Sequence, residues 1–143
     1  MFYLFIGMFA HGVLAGLLPI PWMVPDLTLV GMVLAIARAP HRWLAYASLA
    51  GFGVMCWAIR FPVHVLLSYV IAGGAIRLVA TQWDMTDRTV QRVLVGGASL
   101  GITLGWMWLD DVWSYAVVAW VLARALMTGL LVPGVRHLRM VSR

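Results

Sequence analysis

Apolar segments of helical length follow one another along most of the chain, separated by short breaks at proline, aspartate and arginine. The breaks leave six segments, at about residues 2–18, 25–38, 43–59, 63–82, 89–109 and 113–134. A helix needs roughly 20 apolar residues to cross the hydrocarbon core of a bilayer. None of the segments alternates apolar and polar residues as a membrane strand does. The pattern therefore predicts an all-α compact bundle of six transmembrane helices, forming a single integral membrane domain over residues 1–143.

The composition excludes an ordinary soluble domain. Of the 143 residues, 64% are hydrophobic and 10% are charged, against about 45–50% and about 25% in soluble domains. The second and third segments are short for a span, so they are expected to tilt, to lie in a locally thin region or to be shielded by the other helices. A re-entrant pair is the alternative for these two segments. Asp87 and Thr86 are candidate caps for the fifth helix.

The charged residues predict the orientation of the helices. All ten basic residues are arginines and all five acidic residues are aspartates. With a cytoplasmic N-terminus, Arg60 is the one arginine in an outer loop, and seven fall in inner loops or the tail: Arg38, Arg42, Arg88, Arg92, Arg136, Arg139 and Arg143. Because positive residues favour the cytoplasmic side of short loops, both termini are predicted to be cytoplasmic. The arginines stand singly at segment ends, which argues against a nucleic-acid partner.

Two arginines lie within predicted spans. Arg77 is one or two turns from the cytoplasmic end and can extend its side chain to the surface, whereas Arg124 is about ten residues from either end of its helix. An arginine at a helix centre costs about 2.5–3.5 kcal/mol on insertion scales. Every aspartate is predicted near an interface. Three solutions therefore stay open for Arg124: carbonyls of a broken helix, with the PDLT start of the second segment among the candidates, a polar cavity, or a carboxylate of another protein.

Glycines form one face of the fifth predicted helix. In VGGASLGITLGW, Gly97, Gly101 and Gly105 recur at every fourth position. Small residues in lipid let helix backbones approach closely. This face is therefore predicted to pack either on a neighbouring helix of the same bundle or on another membrane protein. These glycines, with Arg124 and Arg77, are the candidate contacts for a partner or ligand.

The sequence carries no recognisable motif for hydrolysis, redox chemistry or nucleotide binding, such as HExxH, CxxC, GxSxG or a Walker loop. The single cysteine, Cys56, cannot form an internal disulfide. His11 is the one histidine predicted deep within a span. Hydrogen bonding to a neighbouring helix is more common for such a residue than ligation of haem or chlorophyll. The chain is therefore predicted to be non-enzymatic, with no cofactor and no metal.

The block from PDLTLVGMVLAIARAPHRW to LLSYVIAGG resembles the family of the rod shape-determining protein MreD. The shared features are a proline at the head of the second span, an APHR turn, a GFxxG-like third helix, a short outer loop and the LLSYVIA helix. The resemblance covers roughly residues 20–80, and the rest of the chain is similar in topology only. It implies a fold similar to the substrate-binding subunits of energy-coupling-factor vitamin transporters.

The same resemblance implies a function and a set of partners. Members of this family are non-enzymatic adaptors of the bacterial inner membrane, and they act in cell-shape maintenance and lateral peptidoglycan synthesis. The implied partners are an MreC-like bitopic scaffold, MreB, RodA and a class B penicillin-binding protein. Gly97, Gly101 and Gly105 give such an adaptor a face for a partner helix.

Two other functions are compatible with the sequence. One is a substrate-binding membrane subunit of a transporter, in which Arg124 and Arg77 hold an anionic small molecule. The other is a small accessory subunit of a respiratory or photosynthetic complex, contacting pigment or haem through His11 and the tryptophans. A ligand that stabilises the wild type but not an Arg124→Ala variant would favour the first. A coloured purified complex would favour the second.

Overall fold

The computed structural model describes residues 1–17, 24–56 and 62–132, and the regular secondary structure in these segments is helical. These segments form six α-helices: α1 Phe2–Leu17, α2 Leu27–Arg38, α3 Trp43–Met55, α4 Pro62–Ala80, α5 Arg88–Asp110 and α6 Tyr115–Leu130. One turn of 3-10 helix, Pro40–Arg42, joins α2 to α3. The predicted all-α fold with six helices is confirmed for this part of the chain.

The helices coincide closely with the predicted segments. The fourth segment, predicted over 63–82, is α4 at Pro62–Ala80, and the fifth, predicted over 89–109, is α5 at Arg88–Asp110. The predicted ends at 18, 59 and 134 lie outside the described residues. By length and composition, α4 and α5 are apolar and long enough to cross a membrane, and α1, α2 and α6 are shorter apolar helices.

Consecutive helices form three antiparallel pairs that pack over glycine, and α1 with α2 is the first. A Cβ on Gly31 would lie 2.6 Å from the carbonyl oxygen of Tyr3, and Gly7 lies just as tightly against the carbonyl of Leu27. Real Cβ atoms do not come so close to backbone atoms. Glycine therefore lets the two backbones touch, which is how small residues act between helices in lipid.

The other two pairs use the same device. In the α3–α4 pair, a Cβ on Gly51 would lie 3.1 Å from the Cα of Leu66. In the α5–α6 pair, a Cβ on Gly129 would lie 3.0 Å from the carbonyl oxygen of Arg92. Each hairpin of the fold is thus fixed by a close backbone contact that a larger residue would disrupt.

Helix α2 is the centre of the bundle. Nine of its 12 residues are buried, and it contacts α1, α3, α4, α5 and α6. The side chains of Leu29, Met32 and Ile36 are fully buried. A helix that is apolar on every side must be covered on every side. The residues just before α2, 24–26, are buried as well, so this helix begins in the interior of the bundle.

Short polar side chains fix where helices begin. At the start of α5, the carboxylate of Asp87 accepts the backbone N–H of Thr89 at 2.8 Å, and at the start of α6 the hydroxyl of Ser114 caps the first turn. Such residues satisfy N–H groups that the first helical turn leaves without a partner. The predicted cap Asp87 is confirmed. Thr86 is not a cap, because its hydroxyl donates to Asp84 instead.

Candidate functional site

The carboxylate of Asp26 is the centre of a polar cluster inside the bundle. The residue is 2% exposed. Its Oδ1 accepts the backbone N–H of Leu29 at 3.0 Å, which caps α2, and its Oδ2 accepts the hydroxyl of Tyr69 at 2.5 Å. Tyr69 lies in the middle of α4 and is also buried. Both carboxylate oxygens therefore have a donor, as a buried carboxylate requires.

Arg124 places its guanidinium beside the same carboxylate. Its Nη2 lies 4.0 Å from Oδ2 of Asp26, and the arginine is 8% exposed. The expectation that Arg124 meets no carboxylate of its own chain is therefore wrong. The expectation failed because α2 has only 12 residues and starts inside the bundle, so that the aspartate capping it is interior too. Asp26 therefore supplies a counter-charge for Arg124 from the same chain, at an ion-pair distance longer than a hydrogen bond, and among the described residues the buried Nε of Arg124 has no hydrogen-bond partner.

Groups next to this ion pair add a second contact with α6 and extend the cluster to α1. The backbone N–H of Asp26 donates to Oγ1 of Thr128 at 3.0 Å, and that hydroxyl donates to the carbonyl of Arg124 at 2.7 Å. Nδ1 of His11 lies 3.2 Å from the carbonyl oxygen of Pro25, within hydrogen-bond distance. His11 thus bonds to a neighbouring segment, as expected of a deep histidine. The cluster ties α1, α4 and α6 to the start of α2.

The ion pair is expected to add little to the net stability of the bundle. Two unit charges 4 Å apart attract by about 4 kcal/mol at an effective dielectric constant of 20. Taking each ion out of water costs several kcal/mol, which offsets most of that attraction. The side chains of Arg124 and Asp26 are 9% and 3% exposed, so both carry this penalty. Removing only one of them would leave the other buried and unpaired, which costs about 3–5 kcal/mol.

The second candidate arginine, Arg77, lies apart from this cluster. It is in the last turn of α4, eight residues after Tyr69 in the sequence. At a rise of 1.5 Å per residue, that separation is about 12 Å along the helix. The structure therefore does not gather Arg77 and Arg124 around one anionic ligand. Within the described segments, no group of three or more His, Cys, Asp or Glu side chains could hold a metal ion.

The three glycines Gly97, Gly101 and Gly105 face outwards from the bundle. All three are exposed, and a Cβ added to any of them would meet nothing within 4 Å. Of the two predicted alternatives, packing on a neighbouring helix of the same bundle does not occur among the described residues. The glycines that do meet another helix of the chain closely are Gly7, Gly31, Gly51, Gly53, Gly73 and Gly129.

Two of the outward glycines line a groove between α4 and α5, which we call the α4–α5 groove. It has a volume of about 490 Å³. Its smallest lining residues are Ala72, Ala75, Gly97, Ala98 and Gly101, and aliphatic side chains make up the rest apart from Ser68. The hydroxyl of Ser68 donates to the carbonyl of His64 in its own helix, at 2.7 Å. The groove therefore presents an apolar surface at which another backbone can approach closely.

Sequence reasoning does not identify Tyr69 or Thr128 as members of the site. Each is a single polar residue in an apolar helix, within LLSYVIA and ALMTGLL, and the local sequence does not show which neighbour it faces. A usable signal was present in PDLT, because an aspartate before an apolar run predicts an N-cap. The cap of a short central helix must lie in the interior.

Comparison with known proteins adds no relative to these observations. No protein-family model, curated protein or solved structure matches the chain. The resemblance of residues 20–80 to the MreD family stays an expectation.

Proposed function

We propose that the chain is a six-crossing protein of the bacterial inner membrane with both termini in the cytoplasm. Support comes from its apolar composition, from the two helices that are long enough to cross and from the excess of arginines in one set of loops. The short helix α2 fits this placement, because the residues before it, 24–26, are buried in the bundle. Backbone outside a helix is tolerated at membrane depth where protein covers it.

The ion pair supports the same placement through its depth. Asp26 precedes the 12 residues of α2 and so lies about 18 Å from the end at Arg38, at 1.5 Å per residue. Arg124 follows the cap of α6, Ser114, by ten residues, or about 15 Å. In the proposed orientation these distances are measured from opposite faces of the membrane. The two distances add up to about 33 Å, which is close to the hydrocarbon thickness of about 30 Å. Such a sum is expected when both charges lie at the same depth, and each distance is about half of the thickness.

Within that placement, we propose the function of a non-enzymatic adaptor that binds a transmembrane helix of another protein in the α4–α5 groove. The observation that carries this function is the open face at Gly97 and Gly101, where a Cβ would meet nothing. Closely packed glycines elsewhere, such as Gly31 and Gly129, already have a helix of the same chain against them. Helices in lipid associate through small residues of this kind.

The resemblance to the MreD family supports a role in cell-shape maintenance and lateral peptidoglycan synthesis. Within that complex, the MreC-like scaffold is the proposed occupant of the groove, because a bitopic protein contributes a single transmembrane helix. RodA and a class B penicillin-binding protein are the further proposed partners. The residues that line the groove are apolar apart from Ser68, so the proposed contact is apolar.

Co-purification with the MreC-like protein of the same organism, after co-expression and extraction in mild detergent, tests this function. Gly101→Leu fills the groove, while a Cβ at that position meets no atom of the bundle. It should reduce recovery of the partner roughly tenfold or more, which corresponds to a loss of about 1.4 kcal/mol in binding. Ala119→Leu makes a similar enlargement, smaller by one carbon, at an exposed position of α6 and should leave recovery unchanged.

Two results would contradict the proposal in different ways. If Gly101→Leu retains the partner as well as the wild type does, the groove is not the contact surface. If the wild type itself does not retain the MreC-like protein, while both proteins are present in the membrane fraction, the proposed partner is wrong.

A further inference from the structure

Helix α6 is a poor membrane span when it is considered alone. It has 16 residues, Tyr115–Leu130, fewer than the roughly 20 that cross a hydrocarbon core. It also carries Arg124, which lies on its buried face. A charged residue near the centre of a helix strongly disfavours insertion into the bilayer. By length and composition, α4 and α5 are the helices that could cross unaided.

The carboxylate that pairs with Arg124, and the groups that donate hydrogen bonds to it, belong to segments that are synthesised before α6. Asp26 lies just before α2, and Tyr69 is in α4. The hydroxyl of Tyr69 donates to Oδ2 of Asp26, and the backbone N–H of Leu29 donates to Oδ1. Both hydrogen bonds to the carboxylate therefore come from α2 and α4, and neither comes from α6. Because chains are made from the N-terminus, this acceptor can be in place when α6 emerges.

We propose that α6 needs Asp26 in order to insert into the membrane. This last helix inserts because its arginine meets a carboxylate that α2 and α4 already hold at mid-depth. This inference rests on the proposed membrane placement and is independent of the adaptor function. Oγ1 of Thr128 accepts the N–H of Asp26 at 3.0 Å and fixes the register of α6 on that acceptor. The side of the membrane on which the C-terminus lies then depends on residue 26.

The test measures the side of the C-terminus in the full-length chain. The one cysteine, Cys56, is exposed and is replaced by alanine, and a cysteine is added after Arg143. A membrane-impermeant maleimide is then applied to intact spheroplasts. The added cysteine should be protected in the otherwise wild-type chain. Asp26→Leu should expose it, with the ratio of inserted to non-inserted α6 falling roughly 100-fold.

Two variants separate the charge of Asp26 from its other roles. Asp26→Asn keeps a side chain that caps helices well but removes the charge, so it should expose the added cysteine too. Asp26→Leu combined with Arg124→Leu should restore protection, because α6 then carries no charge into the bilayer. Asp87→Leu removes a carboxylate at the exposed start of α5 and should leave the cysteine protected.

Each contrary result has a separate meaning. A protected cysteine in Asp26→Leu would show that α6 inserts without the carboxylate, and it would overturn the inference. An exposed cysteine in the double variant would also overturn it, because Asp26 would then act other than through Arg124. Wild-type protein that leaves the membrane fraction on alkaline washing would contradict the membrane placement itself.

Discussion

The carboxylate of Asp26 and the guanidinium of Arg124 form an ion pair across the interior of the bundle, with 4.0 Å between Oδ2 and Nη2. One partner caps the first turn of α2, and the other lies within α6. The hydroxyl of Tyr69 and the backbone N–H of Leu29 donate hydrogen bonds to the same carboxylate. Because each of these two residues is the counter-charge of the other, the proposed recognition of a partner involves the apolar surfaces, above all the α4–α5 groove.

Removal of the Tyr69 hydroxyl should weaken this cluster without disturbing the packing of its ring. Tyr69→Phe deletes the donor to Oδ2 of Asp26. Side-chain hydrogen bonds between membrane helices average about 0.6 kcal/mol and reach about 1.7 kcal/mol, and bonds to charged groups are at the stronger end. We expect the free energy of unfolding to fall by about 1 kcal/mol in a denaturant titration of the purified protein. Tyr115→Phe, at a residue that is 98% exposed, should have no effect.

Thr128 and Thr103 form a matched pair for testing the link between α6 and α2. Both are buried, and each hydroxyl donates to a carbonyl four residues earlier in its own helix, but only Thr128 also accepts the N–H of Asp26. Thr128→Val leaves that buried N–H without an acceptor, which costs about 1–3 kcal/mol. Thr103→Val should cost clearly less, and Thr128→Ser should restore most of the loss. Equal thermal shifts for the two valine variants would mean that the contact with Asp26 contributes nothing.

Local signals predicted the elements of this fold well. The apolar segments predict α4 and α5 to within one or two residues, and the cap of α5, Asp87, is one of the two candidates that precede its apolar run. These features depend on neighbours in the sequence. The contact between Asp26 and Thr128 joins residues 102 positions apart, and nothing in either local sequence encodes it.

The glycines illustrate the same limit. Their spacing correctly showed that Gly97, Gly101 and Gly105 share one face of a helix, but spacing does not determine what that face meets. Single glycines such as Gly31, which belong to no such stripe, turned out to make the close contacts. Which helix packs against which is decided by the whole bundle, so a periodic pattern is a weaker guide to contacts than to helices.

The cap of α5 can be tested separately from the interior. Asp87→Ala removes the acceptor of the backbone N–H of Thr89, at an exposed position. Loss of an N-cap side chain costs about 0.5–2 kcal/mol, so we expect a lower melting temperature in detergent. Asp87→Asn should keep most of the stability, because asparagine caps equally well. An asparagine variant as unstable as the alanine variant would indicate that the charge, and not the cap, is what matters.

One added methyl group should have opposite effects at two glycines of the same bundle. At Gly31, a Cβ would lie 2.6 Å from the carbonyl oxygen of Tyr3, so Gly31→Ala must push α1 and α2 apart. Overpacking of this kind costs about 1–3 kcal/mol. At Gly97, a Cβ meets nothing within 4 Å, and alanine is the better helix former by about 1 kcal/mol. Gly97→Ala should therefore leave the free energy of unfolding unchanged or raise it, whereas Gly31→Ala should lower it in the same denaturant titration. A loss of stability in both variants would show that Gly97 packs on the bundle in solution, and the α4–α5 groove would then not be open to a partner.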